Sequence, residues 1–198
     1  MSEAGLQAAR QKMIDAGVST PAIEVFSRFY ELLESGATGV IREDSIAPLL
    51  DPPMLADIDV TNEDARAAID KTVVIKLNGG LGTSMGLDKA KTLLKVRDGY
   101  TFLDLLVRQV LAARERYGAR LPLLLMNSFR TEEDTLNFLR KYPELPVDDL
   151  PLSFLQNQEP KLRADDLTPV EWPADPSLEW CPPGHGDLYP ALEGSGIL

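Results

Sequence analysis

Cysteine and histidine are almost missing from this chain of 198 residues, which has one of each, Cys181 and His185. A single cysteine excludes an intrachain disulfide, and the pair supplies no zinc-type ligand cluster. The expected compartment is the cytoplasm. Long apolar runs are missing too. No stretch approaches the roughly 20 residues of a membrane helix, and residues 1–10 contain no apolar signal-peptide core. Basic residues are scarce, with 20 Lys and Arg against 31 Asp and Glu, a net charge of −11. That balance argues against the broad basic face a nucleic-acid binder needs. No repeat or low-complexity segment occurs. What remains is ordinary for a globular α/β domain with a sizeable core, at 44% hydrophobic and 26% charged residues.

Against this background one stretch is unusual. Residues 72–96 read TVVIKLNGGLGTSMGLDKAKTLLKV. Val73, Val74, Ile75 and Leu77 favour a buried strand. Gly79, Gly80, Gly82 and Gly86 then interrupt any regular element and let the backbone approach another group closely. Successive N–H groups in such a loop can form an anion-binding nest. Charge agrees with this. Residues 71–97 carry a net +5, whereas the segments on either side carry −8 each. A local basic island in an acidic chain suits a compact polyanion such as a nucleotide. A Walker loop does not fit, because Gly86 is followed by Leu87 and Asp88. A dinucleotide fingerprint fits only at Gly80 and Gly82, with Met85 where the third glycine belongs.

Taken in order, Leu6, Ala9, Met13 and Ile14 are spaced for one helix face. Thr20 reads as the cap and Pro21 as the first turn of a second helix whose packing face is Ile23, Phe26, Phe29, Tyr30 and Leu33, stopped at Gly36. Residues 36–60 read as a connector draped on the main domain. Thr61 with Asp64 and Thr101 with Asp104 are capping-box patterns, and Thr131 with Asp134 reads as a third cap. The helix after Thr101 is expected to bury Phe102, Leu105, Leu106, Gln109, Val110 and Ala113 and to end at Gly118. Asp98 and Gly99 form a turn. Residues 121–126 and 152–155 read as further strands. Alternating strands and helices predict a largely parallel sheet with helices on its faces. Dense prolines after Pro160 forbid long regular elements, and Trp172 and Trp180 are expected to anchor that region. Residues 1–60 thus form a helical extension and connector, and residues 61–198 part of a nucleotide-binding domain.

Leu77-Asn78-Gly79-Gly80-Leu81-Gly82-Thr83-Ser84-Met85-Gly86 with Lys91 resembles the nucleotide-binding loop of the eukaryotic-type UTP–glucose-1-phosphate uridylyltransferases, or UDP-glucose pyrophosphorylases. Three further segments are similar to that family in the same order: Asn127-Ser128-Phe129, Gln156-Asn157-Gln158 with Pro160-Lys161, and Pro182-Pro183-Gly184-His185-Gly186-Asp187. The resemblance covers roughly residues 72–196. It implies a Rossmann-like, GT-A-like nucleotidyltransferase domain. It also implies UTP, glucose 1-phosphate and UDP-glucose as partners and magnesium as cofactor. No partner nucleic acid or membrane is expected, and the oligomeric state is open.

By this resemblance Leu77, Asn78, Gly79, Gly80, Gly82 and Thr83 hold the nucleotide, Lys91 reaches the phosphates as the catalytic cation, and Gln156 with the backbone of Gly184 reads uracil. His185 lies near the sugar phosphate. A glutamine amide offers the donor and acceptor that a uracil edge requires. Gln158 competes for that role, sharing a face with Gln156 if a strand continues through both. Asp187 reads as structural, and no residue is assigned to the metal. The nucleophile in this chemistry is already an anion, so no general base is required, only alignment and charge neutralisation.

Family members continue beyond the matched segments, into a stretch expected to hold the metal-binding aspartate and a second lysine. The chain is therefore expected to be an N-terminal portion, truncated at its C-terminus, with an unpaired sheet edge and no detectable turnover alone. The alternatives are a non-catalytic uridine-nucleotide-binding fragment, a relative using another sugar 1-phosphate, and a dinucleotide-dependent oxidoreductase, which the glycine spacing disfavours.

Overall fold

The structure, a computed structural model, describes residues 2–81, 86 and 89–198. Gly82 and Thr83 of the glycine loop lie outside the described residues. Helices α1 (Ser2–Asp15) and α2 (Thr20–Glu34) lead through the connector to α3 (Asn62–Asp70) and strand β1 (Val74–Asn78). A small antiparallel pair, β2 (Lys95–Arg97) and β3 (Tyr100–Thr101), precedes α4 (Phe102–Tyr117). Then come β4 (Leu123–Asn127), α5 (Glu132–Leu139), β5 (Ser153–Leu155), a second antiparallel pair of β6 (Glu159–Pro160) and β7 (Trp180–Cys181), and α6 (Leu188–Ser195).

The main sheet is parallel, in the order β1-β4-β5. Its middle strand, Leu-Leu-Leu-Met-Asn, is buried at every position, as an apolar strand covered on both faces must be. Leu123 and Leu125 face a core with Leu103, Val107 and Val110 of α4, while Leu124 and Met126 face Phe154 and Ala191. The register sets Asn78 beside Asn127 and Asn127 beside Leu155, so three C-terminal strand ends meet at one edge. A third cluster joins Ala9, Met13, Ile23, Phe26 and Tyr30 to Leu162, Leu167 and Trp180. The N-terminal helices therefore pack on the proline-rich region. Lys12 ties them further, donating to the Val170 carbonyl at 2.8 Å and pairing with Glu179.

Local signals give the expected elements. The Thr61–Asp64 and Thr101–Asp104 capping boxes are both complete, and Gly118 ends α4 in the left-handed region at φ 62°. Several faces differ from expectation. In α2 Phe29 is 62% exposed and Leu33 also faces outward, while Ile14 of α1 is exposed. In α4 Leu103 and Val107 are buried, whereas Phe102 and Gln109 are exposed, a rotation set by docking against β4. Helix α2 begins one residue earlier than expected, with Ser19 rather than Thr20 at its cap and no side-chain capping bond. Thr131 does not cap α5 with its side chain, because its hydroxyl accepts from the Ser128 N–H at 3.0 Å. Trp172 is exposed, and only Trp180 anchors, lying under the Lys12 ammonium. The connector is not draped on the domain. Residues 36–60 are exposed throughout, Leu50 at 80% and Leu55 at 83%, since their two short 3-10 turns offer no periodic apolar face to bury.

Candidate functional site

The strand ends are locked by a buried hydrogen-bond network. Asn78 Nδ2 donates to Asn127 Oδ1 at 2.6 Å and to Thr135 Oγ1 at 2.9 Å, and Asn78 Oδ1 accepts from Thr92 Oγ1 at 2.5 Å. Asn127 Nδ2 donates to Ser153 Oγ at 2.8 Å, and Ser153 Oγ donates to Glu132 Oε1 at 2.7 Å. The Asn78 side chain is thus committed inside the protein. Its amide braces β1 against β4, α5 and Thr92. The Leu77 side chain likewise packs in the core with Leu124 and Met126. Only backbone groups of these two residues remain to meet a ligand.

Lys91 is brought back to the start of the glycine loop. Its N–H donates to the Gly80 carbonyl at 3.2 Å, and Leu81 pairs with Ala90 in an isolated antiparallel bridge. The adjacent Thr92–Asn78 bond fixes this return to the sheet. The Lys91 side chain runs beside Gly80, with Cδ and Cε 4.0 Å from where a Cβ of residue 80 would stand. It is exposed, so its ammonium can move to an anion.

Gln156 follows β5 directly, its N–H donating to the Asn127 carbonyl at 2.8 Å. The residue is 8% exposed, yet among the described residues its side-chain amide has no hydrogen-bond partner in the protein. That amide lies on Gly79. A Cβ at Gly79 would stand 2.3 Å from Gln156 Oε1 and 2.8 Å from Cδ, so only glycine permits the approach. The competing Gln158 is half-buried and makes no such contact. The expected sharing of a face fails because β5 ends at Leu155, and residues 156–158 are not a strand.

A cavity of about 320 Å³ opens beside the glycines, lined by Gly79, Gly80, Phe129, Arg130, Lys161 and Pro182 among others. Arg130 and Lys161 are cations that reading for glycine and lysine motifs did not assign to the site. The signal was there, since each falls within a segment at the carboxyl end of a strand, where open α/β sheets bind ligands.

Gly184 and His185 sit on a loop fastened to this edge. Gly184 has φ 106° and ψ −175°, a backbone geometry open almost only to glycine. His185 is exposed and, among the described residues, makes no side-chain hydrogen bond, and none joins it to Lys91. Asp187 is buried and accepts from the Asn157 N–H at 2.6 Å and Asn157 Nδ2 at 2.8 Å. Burial pushes its pKa up, against the lowering effect of these bonds. Burial and then the charge of Asp187 push Glu159 to about 7, and burial first, then Glu159, raises the Cys181 thiol.

Comparison with known proteins decides the family. The family model described as UTP–glucose-1-phosphate uridylyltransferase matches residues 23–198. The chain belongs to this family. It is 42% identical over 160 residues to the UTP–glucose-1-phosphate uridylyltransferase of Solanum tuberosum, an alignment that covers 80% of this chain and 31% of that protein. The probable uridylyltransferase of Schizosaccharomyces pombe is 39% identical over 177 residues, covering 87% and 35%. Among solved structures, a mutant UDP-glucose pyrophosphorylase from Leishmania major in complex with UDP-glucose superposes with a TM-score of 0.88 at 44% identity, covering 98% of this chain and 40% of that one. The Trypanosoma brucei UDP-glucose phosphorylase gives 0.86 at 44% identity, covering 98% and 41%. The chain spans about a third of the length of the curated relatives it matches. At one sheet edge Gly79 lies against Gln156, and Gly80 against Lys91. Among the described residues no helix is long and apolar enough to cross a membrane.

Proposed function

We propose that the chain is the nucleotide-binding portion of an enzyme that makes UDP-glucose and pyrophosphate from UTP and glucose 1-phosphate. The observation that carries the reading is the Gln156 amide, which lies on Gly79 and, among the described residues, has neither donor nor acceptor engaged. An amide with both its donor and its acceptor unengaged can pair with a ligand that presents the complementary groups. Uracil, whose N3–H is flanked by carbonyls, has the matching edge. The relatives, named for UTP, glucose 1-phosphate and UDP-glucose, support the same substrates.

In this reaction a phosphate oxygen of glucose 1-phosphate attacks the α-phosphorus of UTP, and the bond to the β-phosphate oxygen breaks as pyrophosphate leaves. No proton has to be removed from the nucleophile. The protein's task is to align two anions and offset their charge. Backbone N–H groups at Gly79 and Gly80 hold the nucleotide close, Lys91 neutralises the phosphates, and Gln156 and the Gly184 backbone orient the base. His185, exposed on the same loop, faces the sugar phosphate in this reading.

Magnesium would lower the repulsion between the reactants. The described residues do not fit a magnesium site of their own. No three His, Cys, Asp or Glu side chains lie together, and both Asp187 oxygens are held by Asn157. No step here is routed through the metal. The free Cys181 suits the reducing cytoplasm.

Titration with UTP, CTP, uridine and inorganic triphosphate tests the reading. UTP should bind more tightly than CTP. Lys91→Ala should weaken UTP about 10- to 100-fold while leaving uridine little changed, as expected for loss of a charge-assisted contact. Equal losses for UTP and uridine would remove Lys91 from the phosphates. Pyrophosphate release from UTP and glucose 1-phosphate separates an enzyme from a binding module.

A further inference from the structure

We propose that Asp187 is a positioning residue for base recognition, holding the Gly184 loop in register with Gln156 by gripping Asn157. This rests on the uridine-nucleotide reading of the site.

Asp187 occupies the cap position of α6, where a carboxylate ordinarily accepts an N–H of its own first turn. Here it makes no such bond. Both oxygens instead cross to one residue thirty positions away, Oδ2 to the Asn157 N–H at 2.6 Å and Oδ1 to Asn157 Nδ2 at 2.8 Å. The carboxylate is buried, with the whole residue 7% exposed. Burying a charge is unfavourable unless it is well bonded, and these bonds do not stabilise the helix that carries it. They join two loops.

Those loops are the ones that matter for the base. Asn157 directly follows Gln156, whose own N–H is fixed to the Asn127 carbonyl. The Gly184 loop leaves the sheet at Cys181, paired opposite Glu159, and returns at Asp187, bonded to Asn157. It is therefore fastened at both feet to residues 157–159. Pro182 and Pro183 stiffen one arm, and Gly184 takes its glycine-only conformation between the feet. With two feet fixed, the Gly184 backbone has one position relative to Gln156. Without the carboxylate the second foot is held only by the packing of α6 against Phe154 and Met126, with no polar tie to Asn157. Two groups that read one planar base tolerate little relative displacement, since misplacement by about 1 Å can cost on the order of 100-fold. A phosphate chain held by Lys91 and the glycine backbone does not depend on this strut.

The test measures affinities for UTP, CTP and inorganic triphosphate, with melting temperature recorded for each variant. The wild-type chain should prefer UTP. If it shows no preference among these ligands, the uridine reading fails and this proposal with it. Given that preference, Asp187→Ala should lower UTP affinity about 10- to 100-fold and narrow the UTP-over-CTP ratio, with triphosphate affinity unchanged. Asn157→Asp, which sets two carboxylates face to face, should do the same. The double exchange Asn157→Asp with Asp187→Asn restores an acid–amide pair and should restore the ratio. Should the single variants fail to fold, the double exchange still decides. A folded double exchange with wild-type UTP selectivity supports the strut, and one that remains unselective overturns it. An Asp187→Ala chain that folds and keeps the full ratio also overturns it, as does equal weakening toward UTP and triphosphate.

Discussion

Gly79→Ala places one methyl group where the Gln156 amide now lies. The new Cβ would stand 2.3 Å from Oε1, 2.8 Å from Cδ and 3.1 Å from Nε2. Carbon contacts are comfortable only near 3.5 Å, so the amide must withdraw by about 1 Å. It can do so, because it ends a flexible side chain and has no protein partner to lose. The Gly79 backbone is not in the left-handed region, so alanine adds no strain. Restricting the unfolded chain should even stabilise the fold by about 0.4–1 kcal/mol. Melting temperature should therefore hold or rise slightly while recognition suffers. An amide displaced by about 1 Å no longer meets a base edge at hydrogen-bond distance, and UTP affinity should fall about 10- to 100-fold, with CTP falling less. Isothermal titration calorimetry with both nucleotides reads the effect. The methyl group could also obstruct the nucleotide directly. A double-mutant cycle separates the two routes: in a Gln156→Ala background Gly79→Ala should cost little more, because the residue it displaces is gone. Full additivity, or a Gly79→Ala chain that keeps wild-type UTP affinity and UTP-over-CTP ratio, would refute the reasoning.

Asn78→Ala removes two donated and one accepted bond from the buried strand-end network; it should destabilise the fold by roughly 2–3 kcal/mol in urea unfolding, and a cost near zero would mean water replaces the amide. Burial by itself would raise the Asp104 pKa, but Lys141, the Thr101 N–H and hydroxyl and Tyr142 more than offset it and hold the carboxyl well below the usual range. Its stabilising effect is thus present above a pH of about 4 and lost as pH falls below that value, so Asp104→Asn should flatten the acid limb of the stability curve. Glu159, raised to about 7, behaves oppositely. It is neutral in the fold and charged in the unfolded chain between about pH 4.5 and 7, so stability should decline as pH rises through that window. Glu159→Gln should remove the decline in melts taken at pH 5 and pH 8, and an unchanged slope would place the titrating group elsewhere.

Much of this protein was settled by interactions between near neighbours in the chain. Thr61 with Asp64 and Thr101 with Asp104 close their capping boxes within one helical turn, and Gly118 ends α4 because no other residue so readily takes a left-handed backbone. The apolar runs before Asn78 and Asn127 become parallel strands, since only a doubly covered sheet buries both their faces. The glycine loop and its basic surroundings are equally visible as composition. Tertiary structure alone decided the rest. Which face of α2 and α4 is buried depends on what each helix docks against, so Phe29 and Phe102 face water despite helical spacing. Asn78 and Asn127 lie 49 residues apart and meet only because β1 and β4 pair in that register. Gln156 is distinguished from Gln158 by contact with Gly79, and Asp187 turns from its own helix to Asn157. Each of these depends on a distance between residues far apart in sequence. Local propensity carries no record of such distances, because they exist only once the sheet has assembled.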